Sequence, residues 1–297
     1  MAGNTSRITE KRNPASMDLD KLETEEVVTL INQEDANVAE AVKEEISSIS
    51  SAIDEIVKRM RKGGRLFYIG AGTSGRLGVL DAVECVPTFS VEEGQVVGIM
   101  AGGQDAIFVA KEGLEDSREK GAEEIDNYQL TKLDSIVGIA ASGSTPYVLG
   151  AMEEARKRGI LTIGLACCKD SPLEKSVDIP ITPIVGQEVL TGSTRMKAGT
   201  AQKMVLNTIS TTVMVKLGKV YSNLMVDLKA TNNKLRERAK NIFILITDTD
   251  YQVAEEYLKK AKFEVKTAIV MYCCQLTYEK AIQQLEENQG ILSKVID

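Results

Sequence analysis

Between Arg65 and about Val185 the sequence alternates short apolar runs with longer segments of helical period, and this alternation restricts the fold more than any other feature of the chain. The runs are RLFYIG, VVGIMA, SIVGIAA, LTIGLAC and IPITPIV. They are hydrophobic throughout, with none of the polar alternation of a half-exposed strand, as expected for strands covered on both faces. Strands separated by helices imply a parallel sheet, and right-handed crossovers restrict how they connect. The predicted fold is α/β: a three-layer α/β/α sandwich around a five-stranded parallel sheet.

The flanking segments are helical. After a polar arm containing Pro14, apolar residues at Val38, Val42, Ile46, Ile49, Ile53, Ile56 and Val57 follow a helical period that stops at Gly63 and Gly64, which predicts one short helix and one long one. Beyond the amphipathic segment GTAQKMVLNTISTTVMVKLG the pattern is helical to the end. The organisation read from this is an arm with helices over 1–54, a sheet domain over 55–220 and a small helical domain over 221–297.

Charge and composition exclude several function classes. With 36 basic and 43 acidic residues the formal charge is -7, so no global basic field recruits nucleic acid or an anionic membrane, and an anionic ligand must be held by local groups. No apolar stretch approaches the roughly 20 residues that span a bilayer. Five cysteines, in an odd count with two adjacent pairs, and the lack of a secretory h-region suit the cytoplasm. There is no histidine and no C-x-x-C pair, so zinc is not expected, and any general acid or base has to be a carboxylate, lysine, tyrosine or cysteine.

Three transitions are rich in glycine and hydroxyls: GAGTSGRLG at 70–78, ASGSTPYV at 141–148 and TGSTRMKAGT at 191–200. Loops at the carboxyl ends of parallel strands line the ligand crevice, and the helix that follows each one offers free N–H groups to an anion. Thr73, Ser74, Ser142, Ser144 and Thr145 are the expected donors, with Ser193 and Lys197 added by the third loop. Gly70, Gly72 and Gly75 match G-x-G-x-x-G, but no acidic residue stands where a ribose would need one, with only Asp105 following the second run. The hydroxyls favour a phosphomonoester. Glu84 in LDAVEC and Glu115 in AKEGLEDS are the candidate acid/base pair, since burial or a neighbouring charge can separate two carboxylate pKa values. Both are expected at one edge of the sheet. Glu188, beside Arg195 and Lys197, either orients a sugar hydroxyl or pairs with one of those bases.

The segments YIGAGTSGRLGVLDAVECVPTF, AGGQDAIFVAKEGLED, GIAASGSTPYVLGAM and TGSTRMKAGTAQKMVLNTIST, with the arm TEKRNPASMDLD, resemble the N-acetylmuramic acid 6-phosphate etherases of the sugar isomerase (SIS) superfamily. The likeness spans nearly the whole chain. It implies cleavage of a D-lactyl ether without metal or nucleotide, with Glu84 matching the proton donor and Glu115 the second catalytic residue, the base at C2. It also implies a homodimer whose sites are completed by the partner subunit. An aldose-ketose isomerase or a non-catalytic sugar-phosphate sensor would share the loops. The absence of histidine speaks against the isomerase, and no DNA-binding module is visible for a sensor.

Overall fold

All five apolar runs form strands in the computed structural model, which describes residues 7–109, 113–228 and 233–297. The arm makes short 3-10 turns at Ile8–Glu10, Pro14–Ser16 and Leu19–Lys21, then leads into α1 (Thr24–Asp35), α2 (Val38–Lys43) and α3 (Ile46–Met60). The alternating region follows as β1 (Leu66–Gly70), α4 (Gly72–Phe89), β2 (Val96–Met100), α5 (Asp105–Phe108), α6 (Arg118–Asn127), β3 (Ser135–Ile139), α7 (Pro146–Lys157), β4 (Leu161–Leu165), α8 (Pro172–Ser176) and β5 (Ile179–Ile181). Next come α9 (Lys197–Lys216), a two-stranded ribbon of β6 (Val220–Tyr221) and β7 (Leu224–Met225), and α10 (Asn233–Thr247), α11 (Tyr251–Lys260), α12 (Val265–Cys273), α13 (Tyr278–Glu287) and α14 (Ser293–Ile296).

The amino-terminal helices differ from the sequence expectation. The period running from Val38 to Val57 is broken between α2 and α3, where Glu45 leaves helical geometry. Ile46 is exposed, so the apolar positions do not form one continuous stripe. The buried stripe of α3 consists of Ile49, Ala52, Ile53, Ile56, Val57 and Met60.

The sheet is parallel, in the order β2-β1-β3-β4-β5. IPITPIV yields only the three residues of β5, an edge strand; Pro180 has no N–H to donate, a deficit tolerated only at an edge. From β1 the chain goes first to β2 on one side and then returns to β3 on the other. The carboxyl ends of β1 and β3 therefore flank the topological switch point, where ligands of open α/β sheets bind.

Phe67, Ile69 and Ile136 on the sheet pack with Val148 and Met152 of α7, all fully buried or nearly so. Each such side chain contributes about 1.5–3 kcal/mol by leaving water. At the opposite, amino edge, the buried Asp134 carboxylate accepts from the backbone N–H groups of Arg65 and Thr131 and from the Arg65 guanidinium. Burial works to raise its pKa, but these donors outweigh burial and hold it below the usual carboxylate value.

The chain forms two compact units, Met1–Val83 with Gly94–Ser210, and Glu84–Glu93 with Thr211–Asp297. Two of the three divisions fall inside long helices, α4 and α9, and the third falls between α4 and β2. In the second unit Phe243 is fully buried, stacked on Tyr257 at 6.1 Å and edge-on to Tyr272 at 5.7 Å. Lys266 donates to the carbonyls of Gly218 and Gly290 and pairs with Asp227 at 3.1 Å, and burial lowers its pKa.

Candidate functional site

The first ligand loop depends on close backbone approach. A Cβ on Gly75 would lie 2.7 Å from the Gly70 carbonyl oxygen, so only glycine lets the first turn of α4 rest against the end of β1. Gly72 has φ of +54°, the left-handed region that glycine adopts without strain. Together they leave the N–H groups of α4 open at the carboxyl end of the sheet.

Within this loop Ser74 is buried and its hydroxyl donates to Gln202 Oε1 of α9 at 2.9 Å. Gln202 is 1% exposed and its Nε2 is buried without a hydrogen-bond partner. Thr73 is half-buried beside the first turn of α9, its methyl 3.6 Å from where a Cβ on Gly199 would stand.

The second loop follows β3. Gly143 is left-handed, with φ of +63°, and a Cβ there would sit 2.4 Å from Ser171 Oγ. This turn brings Ser142 Oγ and Ser144 Oγ within 2.9 Å of each other. Thr145 is the N-cap of α7, yet its side chain makes no capping bond, so its hydroxyl is not spent on its own helix. These three residues stand together at the β3 edge of the switch point.

Glu115 reaches the same edge from the other side. It lies in the 3-10 turn Leu114–Asp116, entered through Gly113 at φ of +77°. With Ala71, Gly72, Arg76, Met100 and Leu114 it lines a small cavity of about 70 Å³. Arg76 donates to the carbonyls of Ala106 and Ile107 at 2.8 and 2.9 Å, tying α4 to the segment after β2. Glu115 is exposed and shares this cavity with Gly72 of the first loop. Residues 110–112 of the segment AKEGLEDS lie outside the described residues.

Glu84 belongs to the other compact unit. It stands on the second half of α4, twelve residues past Gly72 in sequence. α4 continues to Phe89 with Pro87 tolerated in its last turn. Glu84 is exposed on a strip with Leu80, Val83 and Val86, which are 54%, 60% and 38% exposed.

The third loop is built differently from the expectation. Glu188 is 1% exposed, and its two carboxylate oxygens accept from the backbone N–H groups of Lys197 and Ala198 at 3.0 and 2.9 Å. It caps α9, and Lys197, one of the two bases weighed as its partner, pairs instead with Glu34 of α1. The Lys197 side chain is 3% exposed and points into that pair. Ser193 is half-buried, its N–H donating to the Leu190 carbonyl at 2.9 Å.

Three features leave little trace in the sequence. Arg7 of the arm donates to Ser144 Oγ. Gln202 holds Ser74. Asp81, three residues before Glu84 and 5% exposed, accepts from Asn207 Nδ2 at 2.6 Å and Ser210 Oγ at 3.0 Å. Only the choice of polar residues on otherwise apolar helical faces hinted at the last two. Among the described residues no group of three or more Cys, Asp or Glu is placed to hold a metal ion. Cys167 is fully buried and its thiol pKa is pushed up by desolvation, which makes it a core residue. No described helix is long and apolar enough to cross a membrane.

A five-stranded parallel sheet with hydroxyl-rich loops at its switch point defines a protein of the SIS class. A SIS domain model matches residues 121–212, and one described as the glucokinase regulatory protein N-terminal SIS domain matches residues 48–156. In fold the chain is similar to the phosphoheptose isomerase of Neisseria gonorrhoeae, with a TM-score of 0.50 and 15% identity over 64% of this chain and 98% of that one. Within the class, the chain belongs to the family of N-acetylmuramic acid 6-phosphate etherases. It is 55% identical over 289 residues to the protein of that name from Caldanaerobacter subterraneus, covering 97% of this chain and 94% of the relative. It is 52% identical to that of Clostridium beijerinckii, covering 97% and 95%.

Proposed function

We propose that this protein cleaves the D-lactyl ether of N-acetylmuramic acid 6-phosphate with water, giving N-acetylglucosamine 6-phosphate and D-lactate, as a carbon-oxygen lyase. Family membership over nearly the whole chain supports the substrate. The single structural observation that carries the chemistry is Glu115 lining one cavity with Gly72 of the first loop, in a chain with no histidine to take its place.

An unactivated ether resists direct hydrolysis. Opening the sugar ring exposes a C1 aldehyde that acidifies the C2 proton, and the lactyl oxygen is on C3. In this reading Glu115 removes the C2 proton, the C3–oxygen bond breaks, and Glu84 protonates the departing lactate oxygen. Water then adds at C3 and a proton returns to C2, so the net change is ether plus water to two alcohols. Positioned proton transfer of this kind is worth about 10² to 10⁴ in rate. The phosphate is held by Thr73, Ser142 and Thr145 with Ser144, and by the N–H groups at the start of α4 and α7. Ser74 joins them only if its hydroxyl hydrogen turns away from Gln202.

Glu84 stands on an exposed, largely apolar strip of α4, and we assign that strip to a homodimer in which a neighbouring copy completes the site. The odd count of five cysteines, with two adjacent pairs, supports a reducing cytoplasm as its compartment. The test is to incubate the pure protein with N-acetylmuramic acid 6-phosphate and assay D-lactate. Stoichiometric release is expected. Folded protein that binds N-acetylglucosamine 6-phosphate but yields no lactate would make it a sensor instead.

A further inference from the structure

We propose that the amino-terminal arm is a cationic clamp, in which Arg7 and Lys11 close over the second loop and hold the phosphate group of the phosphorylated sugar. The inference rests on the reading of Ser142 and Ser144 as phosphate donors and names partners for them that the loops themselves lack.

A cavity of about 500 Å³ opens over the carboxyl ends of β3 and β4, lined by Arg7, Lys11, Ser142, Lys169, Asp170 and Ser171 among others. It holds three cations against one carboxylate, and that carboxylate has a cation of its own, Lys175, at 3.9 Å. In a chain of net charge -7 such a local excess is what an anionic ligand needs. The hydroxyls of the β3 loop supply short hydrogen bonds; the arm supplies the charge.

The arm is anchored so that these two side chains are presented. Thr9 is 1% exposed, and Cys168 Sγ at the end of β4 lies 3.7 Å from its hydroxyl. Further on, Asn13 Nδ2 donates to the Gln187 carbonyl at 3.3 Å and Ser16 Oγ to the Val189 carbonyl at 2.7 Å. Arg7 and Lys11 flank the buried Thr9, two residues to either side. The Arg7 guanidinium already donates to Ser144 Oγ, which fixes its direction while spending one of five N–H donors. A phosphate on the Ser142–Ser144 turn would meet the remaining donors in the forked geometry that guanidinium groups match.

The experiment is calorimetric titration of the full chain with N-acetylglucosamine 6-phosphate, and with N-acetylglucosamine as the uncharged control, for the native protein, Arg7→Ala, Arg7→Lys and Lys11→Ala. Arg7→Ala is expected to weaken binding of the phosphorylated sugar about 10- to 100-fold, with Arg7→Lys recovering part of the loss and Lys11→Ala losing about threefold to tenfold. Native affinity should fall more steeply with added salt than that of Arg7→Ala. If Arg7→Ala binds the phosphorylated sugar as tightly as the native protein, or loses the uncharged sugar equally, the clamp is wrong and the arm only packs. The outcome is separable from the lactate assay. Lactate released with unchanged Arg7→Ala affinity removes the clamp and keeps the etherase, whereas no lactate with weakened Arg7→Ala binding does the reverse.

Discussion

The sheet unit and the carboxyl-terminal helical unit are held together by different means, and the difference bears on what each can do. At the ligand edge of the sheet, glycines bring backbone to backbone, and the groups left facing outward are N–H donors, hydroxyls and one carboxylate. The helical unit instead relies on large side chains, the Phe243, Tyr257 and Tyr272 rings, and on Lys266 satisfying two helix-end carbonyls. Where backbone geometry does the positioning, polar side chains are free for a ligand. Where side chains do the packing, substitutions are felt as lost stability.

Glu115→Gln should break this contrast most sharply. Activity is expected to fall about 10² to 10⁴-fold, together with loss of solvent exchange at the C2 proton. The melting temperature and the binding of N-acetylglucosamine 6-phosphate should be retained, because the carboxylate is exposed and carries no packing. Proton exchange at C2 that continues at the native rate would remove Glu115 as the base.

Phe243→Ala is the complement in the other unit. Emptying a fully buried aromatic site costs about 3–5 kcal/mol, and Phe243 is 0% exposed. Denaturant unfolding should reveal an early transition of the helical unit; a midpoint unchanged from the native protein would contradict the account of its core.

The smallest effect sharpens the comparison within the sheet, between its two edges. Asp134→Asn at the amino edge should cost about 1–2 kcal/mol by weakening hydrogen bonds to a charged group. Asp134 has its folded pKa below the usual carboxylate value, so its stabilisation is complete above the unfolded pKa and is lost as the pH falls through the folded one. Stability measured from pH 7 down to pH 2 should therefore decline less steeply in Asp134→Asn. An equally steep decline would assign the acid sensitivity to other carboxylates.

Much of the sheet was legible in the sequence because fully buried parallel strands leave a local signature, an unbroken apolar run. The run length misled once, at IPITPIV, where Pro180 and the edge position limit β5 to three residues. Ser142, Ser144 and Thr145 were legible for the same reason as the strands: a short loop after a strand has one place to go. Glu84 was not. Its surroundings depend on how α4 runs, and Pro87, which ordinarily marks a helix end, stands inside its last turn.

The sequence by itself determined the five strands, the glycine-hydroxyl loops and the lack of histidine, since these depend on residue type and on spacing of a few positions. The tertiary structure alone decided which polar partner each side chain takes. Glu188 had hydroxyls, Arg195 and backbone amides within reach along the chain, and it caps α9. Lys197 pairs with Glu34, far away in sequence, and Arg7 meets Ser144 across 137 positions. A charged side chain can satisfy its hydrogen bonds with many groups of equal chemistry. Only the path of the folded chain fixes which of them arrives within about 3 Å.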